Sequence, residues 1–150
     1  MKFTPLKINM FLFLKLPTAY WSGVRLKYID DNSSLTTVKH SWRNQNPFNS
    51  MYFAVQAMAA ELSTGVLVMK KIGDSGKKIS MLVANNTSSF TKKATGRINF
   101  KCSDGLLVEL AIQKAIDTGV GQTLWMKSVG TNEKGEQVSE MNFEWTIKVK

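Results

Sequence analysis

The stretch that decides the fold is NPFNSMYFAVQAMAAELSTG, residues 46–65. From Met51 to Leu62 nearly every position is apolar or small, and only Gln56 and Glu61 interrupt the run. Alanine richness favours a helix, and a helix that is apolar on all sides is expected to be buried on all sides. The sequence therefore predicts one helix that the rest of the domain encloses.

The flanks of this stretch predict where the helix begins and ends. Asn46 suits an N-cap and Pro47 suits the first helical turn. Gly65 suits the C-terminal end of the helix. We therefore predict a helix over 47–62, and we predict a central strand from the apolar run at 66–69.

Apolar spacing predicts the remaining elements of a single domain over 1–150. They are an amphipathic helix over about 3–16, strands over 24–28, 35–41, 79–90 and 98–102, a helix over 104–117, and a closing hairpin of 124–126 with 141–149. Helices and strands do not alternate regularly along the chain. This order indicates an α+β fold with a mostly antiparallel sheet.

The composition excludes several kinds of site. The chain has 150 residues and is 43% hydrophobic, which is enough for a folded domain that needs no disulfide or metal to hold it together. Its single cysteine excludes an internal disulfide, and its single histidine excludes zinc sites that need two. We expect no metal, and we expect Cys102 to be inert packing.

The formal charge of +9 is compatible with an anionic partner such as nucleic acid, a phosphorylated cofactor or a membrane surface. The basic residues are spread along the chain without a reading helix or an aromatic sheet motif, so we expect no nucleic acid. The longest apolar run, residues 10–14, is too short to span a membrane. We expect a cytoplasmic protein.

Apolar residues near the N-terminus recur at spacings of three or four. They are Phe3, Leu6, Met10, Phe13 and Leu14. The spacing predicts a helix that packs this face on the domain. A helix lying on a membrane surface is the alternative, but its polar face carries few lysines and arginines, so we expect no membrane partner.

Three segments resemble the acyl-CoA thioesterases of the PaaI type. Residues 46–50 with the alanine-rich helix are similar to their loop and central helix, 90–96 to the turn beside the coenzyme, and 125–149 to their closing hairpin. The stretch 46–65 is more similar still to an uncharacterised bacterial branch, domain of unknown function 4442. The resemblance covers roughly 20–149 and implies the hotdog fold, an antiparallel sheet wrapped around one long buried central helix.

The resemblance also implies a catalytic site. In that family an Asn before the helix and an acidic residue within it flank the thioester, and Asn46 and Glu61 occupy those places here. The family often has His-Gly-Gly at the helix start, whose backbone N–H polarises the carbonyl. This chain has bulkier residues there, so the backbone N–H of Tyr52 or Phe53 is the candidate oxyanion donor.

Each candidate also has a structural interpretation. An apolar setting is expected to raise the pKa of Glu61, which suits a general base or a nucleophile, whereas a carboxylate that reaches out to solvent is equally compatible with the sequence. Asn46 fits an N-cap as well as a catalytic role. Gln56 is expected to be structural.

Substrate binding is expected from two polar groups of residues. Asn85 and Asn86 either line a substrate tunnel or a subunit interface, or face water. Lys92, Lys93 and Arg97 either clamp the phosphates of coenzyme A or form a solvated face. A second basic pair, Lys70 and Lys71, is expected at a strand end and is a candidate for the same groove.

The function predicted from these features is hydrolysis of an acyl-CoA thioester, with coenzyme A as part of the substrate and no other cofactor. The alternative is a non-catalytic acyl or lipid binder, which the bulk of Tyr52 and Phe53 favours. The resemblance implies at least a homodimer, and the exposed edge of a sheet is a physical reason for that pairing.

Overall fold

The computed structural model describes residues 2–150. Along the chain its elements are α1 (Pro5–Lys15), α2 (Pro17–Trp21), β1 (Arg25–Ile29), β2 (Ser34–Lys39), a 3-10 turn (Trp42–Asn44), α3 (Phe53–Ser75), β3 (Ile79–Phe90), β4 (Arg97–Cys102), α4 (Gly105–Thr118), β5 (Gln122–Thr131) and β6 (Gln137–Val149). No helix among these residues is long and apolar enough to cross a bilayer.

One six-stranded sheet runs in the order β1-β2-β4-β5-β6-β3, and every neighbouring pair is antiparallel. The long helix α3 packs against this sheet, and residues 55–68 of the helix include most of its buried positions. The predicted hotdog architecture is confirmed. Strands β1 and β3 are the two edges of the sheet.

Polar side chains of the sheet hold α3 in place. The Thr36 hydroxyl donates to the Ala59 carbonyl oxygen at 2.6 Å, and the hydroxyls of Ser63 and Ser128 are 2.7 Å apart. The indole N–H of Trp145 donates to the Thr64 hydroxyl at 2.9 Å. Because these groups are buried, each bond satisfies a polar atom that water cannot reach.

The predicted end of the central helix is wrong. α3 continues through Gly65 and through the run at 66–69, which was predicted as a strand, and it ends at Ser75 before Gly76 at φ 65°. A Cβ at Gly65 would lie 3.0 Å from a ring carbon of Trp145, so this glycine permits close packing and does not end the helix. A buried helix and a buried strand have the same apolar composition over four residues.

The predicted start of the central helix is also wrong. α3 begins at Phe53, and Tyr52 stands at its N-cap without a side-chain cap. Residues 46–51 form a loop in which Gln45 and Met51 make an isolated bridge. Asn46 and Pro47 therefore shape this loop and not the first helical turn.

The N-terminal helix is present, but its orientation corrects the prediction. α1 buries Ile8 and Leu12, whereas Leu6, Met10, Phe13 and Leu14 are exposed. Asn9 determines this orientation, because its side chain both accepts from the Leu26 N–H at 2.8 Å and donates to the Leu26 carbonyl at 3.0 Å. Phe3 packs on the core as predicted, but the other four residues of the predicted stripe face solvent.

Candidate functional site

A cavity of about 550 Å³ lies at the N-terminal end of α3. The loop before the helix, the first residues of α3 and residues 90–94 form its walls. We name it the loop cavity. The structure brings five predicted site residues to it, namely Asn46, Tyr52, Phe53, Lys92 and Lys93.

Asn46 shapes the loop with both ends of its amide. Its Oδ1 accepts from the N–H of Phe48 at 2.9 Å and of Ser50 at 3.2 Å, and its Nδ2 donates to the Ser50 hydroxyl at 2.9 Å. An Asn that bonds to the backbone two residues ahead forms a turn of its own. The side chain is therefore a loop-former beside the cavity.

The start of α3 has a backbone donor that is available to a ligand. The N–H of Tyr52 donates to the Asn44 carbonyl at 2.8 Å, so it is already paired. The N–H of Phe53 has no acceptor among residues 2–150, as the first turn of a helix leads one to expect. Of the two predicted oxyanion donors, only Phe53 keeps its N–H unpaired.

Aromatic rings form the apolar wall of the loop cavity. The rings of Tyr52 and Phe53 have centroids 5.1 Å apart, and Phe53 meets Phe90 edge to face at 6.4 Å. Tyr52 and Phe53 are about half exposed. The rings therefore narrow the cavity without filling it.

The two lysines of the loop cavity have different partners. The Lys92 ammonium is paired with the Glu136 carboxylate. The Lys93 ammonium donates only to the Phe48 carbonyl, at 3.3 Å. The Lys93 ammonium is therefore available to pair with an anionic group of a ligand.

The other predicted basic residues are elsewhere. Arg97 alternates with buried Ile98 on β4, which places it on the outer face of the sheet, where its guanidinium donates to the Thr37 hydroxyl at 3.1 Å. Lys70 and Lys71 belong to the end of α3, not to a strand. Lys70 pairs with Asp31 and Asp74 at 2.5 and 2.7 Å, and Lys71 pairs with Glu109 at 2.5 Å.

Asn85 and Asn86 point to opposite faces of the sheet edge. The ladder between β3 and β6 shifts by one residue at Ala84 and then pairs Asn85 with Glu144 and Asn86 with Phe143. The Asn85 amide donates to Glu144 at 3.0 Å on the outer face. Asn86 shares the inner face with buried Phe143, because opposed residues of a ladder point the same way.

Glu61 lies in a second cavity, of about 280 Å³, which we name the Glu61 cavity. Its walls are apolar residues of α3 and of the junction between α1 and α2, namely Met58, Leu62, Leu12, Leu16, Pro17 and Ala19, together with Lys15 and Thr18. The Glu61 carboxylate makes no hydrogen bond or ion pair within residues 2–150. Burial raises the pKa of the Glu61 carboxyl above its usual value.

The two cavities have no lining residue in common. Glu61 follows Phe53 by eight positions of one helix, a rise of about 12 Å. Within one protomer, the structure therefore separates the predicted base from the predicted oxyanion donor and lysines.

A family model described as "Domain of unknown function (DUF4442)" matches residues 8–147. The chain belongs to the DUF4442 family. No curated protein matches it in sequence.

Solved structures match the DUF4442 domain over nearly its whole length. A protein of unknown function from Pseudomonas aeruginosa, named "Probable Thioesterase", has a TM-score of 0.82 and 21% identity over 98% of this chain and 97% of that chain. A protein of unknown function from Chlorobaculum tepidum has a TM-score of 0.82 at 15% identity, covering 97% and 96%. A thioesterase from Haemophilus influenzae has a TM-score of 0.75 at 9% identity, covering 99% and 93%. These likenesses show a thioesterase-like hotdog fold.

The DUF4442 domain has one further polar group at the loop cavity, the side chain of Gln56, which the sequence predicts to be structural. Gln56 is buried, and its Oε1 accepts from the Ser139 hydroxyl at 2.9 Å. Its Nε2 has no partner among residues 2–150, and the residue lines the cavity. The signal in the sequence was its position in an otherwise apolar run, one helical turn after Phe53.

The donor set of the described residues does not suggest a metal site, because no cluster of three or more His, Cys, Asp or Glu side chains occurs in residues 2–150. Cys102 is buried, and burial raises the pKa of its thiol to about 12. A thiol in this state is neutral at physiological pH and is neither a nucleophile nor a metal ligand.

Proposed function

We propose that this DUF4442 domain hydrolyses an acyl thioester, such as an acyl-CoA, and that Glu61 acts as the general base or nucleophile. The observation that carries the proposal is the unpartnered Glu61 carboxylate in an apolar cavity. A raised pKa makes this carboxylate a better base near neutral pH than an exposed one.

Two routes of thioester hydrolysis are open to a basic Glu61 carboxylate. As a base, Glu61 takes a proton from water while the oxygen attacks the thioester carbonyl, and the thiolate leaves and is protonated. As a nucleophile, the carboxylate forms an anhydride that water then hydrolyses. Both routes develop negative charge on the carbonyl oxygen.

The loop cavity supplies donors for that charge. The Phe53 N–H stands at the positive end of the α3 dipole, and donors fixed in this way stabilise an oxyanion without reorganisation. Gln56 offers a second N–H from the next turn of the helix. Lys93 is placed to bind a phosphate of the coenzyme.

A second copy of the chain joins the two halves of this site in the proposal. The outer side of β3 has no strand partner, and the strand is 12 residues long. Leu82 is 66% exposed on this edge. An unpaired edge of this length readily pairs with another chain, and a two-fold dimer is the commonest closed assembly. We infer a homodimer in which the loop cavity of one protomer meets Glu61 of its partner.

The test is release of coenzyme A from short, long and aromatic acyl-CoAs, followed by chromatography of the products. We expect Glu61→Ala to lower kcat by at least about 100-fold, the scale of a lost general base. Glu109→Ala is the matched control, because Glu109 is an exposed carboxylate on α4. Equal turnover by wild type and Glu61→Ala would remove Glu61 from the mechanism.

The shared site is tested by mixing. Co-refolding Glu61→Ala with Gln56→Ala is expected to restore about one quarter of wild-type activity, because half of the dimers are mixed and each has one intact site. Activity that stays at the level of the separate variants would place the whole site in one protomer.

A non-catalytic acyl binder is the second candidate, and the rings of Tyr52 and Phe53 in the loop cavity favour it. It predicts no turnover on any acyl-CoA together with an acyl ligand in the purified protein. Mass spectrometry of the denatured protein distinguishes this candidate from the hydrolase.

A further inference from the structure

The outward face of the N-terminal helices is apolar. Leu6, Met10, Phe13 and Leu14 follow one stripe of α1, and Trp21 at the end of α2 joins them. Leu6 is 75% exposed and Leu14 64%. We name these five residues the N-terminal patch. Exposed apolar surface that is continuous in this way marks an interaction site more often than scattered single residues do.

Aromatic rings connect the two helices of the N-terminal patch. The rings of Phe13 and Trp21 have centroids 6.3 Å apart, and Tyr20 lies edge to face with both, at 5.1 and 5.8 Å. A groove of about 310 Å³ runs along Leu6 and Met10 beside these rings. The patch is therefore one surface built from two helices.

The charged side chains that the N-terminal segment contributes around the patch are all basic. Residues 1–29 contain no aspartate or glutamate, and their charged side chains are Lys2, Lys7, Lys15, Arg25 and Lys27. The Arg25 guanidinium lies 3.6 Å from the Tyr20 ring centre at the wall of the groove. Lys7 is on the same helical face as Met10 and Leu14, because its spacing from them is three and seven residues.

We propose that the N-terminal patch docks on the surface of an anionic lipid bilayer. Its apolar side chains enter the boundary between headgroups and acyl chains, and the surrounding lysines and arginine face the lipid phosphates. This combination of apolar face and basic rim is the one that binds such interfaces. The docking does not depend on hydrolysis, because neither Glu61 nor the loop cavity takes part in it.

A second copy of the chain fits the patch less well. A symmetric contact would bring two all-basic rims together, which repels, whereas an anionic surface attracts both. The patch also lies on the far side of the sheet order from the edge inferred for dimerisation, since α1 packs on β1 and the free edge is β3. The expectation of no membrane partner rested on the few lysines and arginines of the helix itself, and Arg25 of β1 adds a cation at the wall of the groove.

The test is co-flotation of the full chain with phosphatidylcholine vesicles, with and without about 30 mol% phosphatidylglycerol. We expect binding to the anionic vesicles only, decreasing as NaCl rises from about 0.05 to 0.5 M. Met10→Glu is expected to weaken binding at least tenfold, and Lys7→Ala about fivefold. Leu110→Glu is the matched control, because Leu110 on α4 is 60% exposed and Met10 57%.

Circular dichroism and the melting temperature of each variant show that it is folded. No binding to anionic vesicles, or equal loss in Met10→Glu and Leu110→Glu, would overturn the proposal. Sedimentation of the same variants tests whether a second copy of the chain occupies the patch. If Met10→Glu lowers the oligomer mass and the wild-type protein does not bind vesicles, the patch is a contact between copies of the chain.

Discussion

Replacing Glu61 with glutamine is expected to stabilise the fold at neutral and alkaline pH. Burial raises the pKa of the Glu61 carboxyl, and no partner in residues 2–150 compensates the charge. A group whose pKa is raised on folding contributes stability below its unfolded pKa and loses it as pH rises through its folded pKa. Wild type therefore loses stability over that range, and Glu61→Gln, which does not titrate, does not.

The magnitude follows from the size of the pKa rise. Each unit of rise corresponds to about 1.4 kcal/mol once the group is ionised. For a domain of this length, 1 kcal/mol shifts the melting temperature by about 2–4 °C. The variant is thus expected to melt about 3–6 °C above wild type for each unit of rise, and to match it below about pH 4.

The assay is thermal unfolding of both proteins between pH 4 and pH 9, read as the difference in melting temperature at each pH. Glu109→Gln is the control, since it removes an exposed pair with Lys71 and is expected to lose about 0–1 kcal/mol. A difference for Glu61→Gln that is flat with pH, or that becomes negative as pH rises, would refute the reasoning. It would mean that the ionised carboxylate has a favourable partner.

Two further predictions concern the core. Gly65→Ala gains about 1 kcal/mol of helix propensity but places a Cβ 3.0 Å from Trp145. We therefore expect the free energy of unfolding, measured with denaturant, to fall by up to about 2 kcal/mol. Gly73→Ala, whose neighbour is the side chain of Phe3, is expected to show no loss. A gain at Gly65 would contradict the packing. The Cys102 thiol is expected not to react with a thiol dye at about pH 8 until the protein is unfolded, because burial raises its pKa to about 12. Rapid labelling of the native protein would show that the thiol is accessible.

The sequence predicted the architecture because its signals came from whole elements. The alternation in residues 141–149 and the apolar character of 51–62 indicate elements that tertiary packing did not change. The errors lie at boundaries. Four apolar residues at 66–69 fit a buried helix and a buried strand equally well, and the structure shows that they continue α3.

The candidate site was predicted less completely, and the reasons are local. Successive residues of a strand point to opposite faces, and the extra residue at Ala84, which the strand pattern does not reveal, decides which of Asn85 and Asn86 faces inward. Arg97 follows the turn with Lys92 and Lys93 in sequence, but strand alternation places it on the outer face. The face of the sheet to which each side chain points decided both outcomes.

The spacing along α3 limits how a shared site is built. Eight positions separate Phe53 from Glu61, so the two residues lie about 12 Å apart along the helix and about 80° apart around it. In a two-fold dimer with antiparallel α3 helices, an axis beside Ala57 places Phe53 of each protomer level with Glu61 of the partner. Ala57 is a small side chain and is only partly buried, so it does not obstruct a close approach. The same axis completes both sites at once, which is why one helix is able to carry the two halves of the proposed chemistry at this separation.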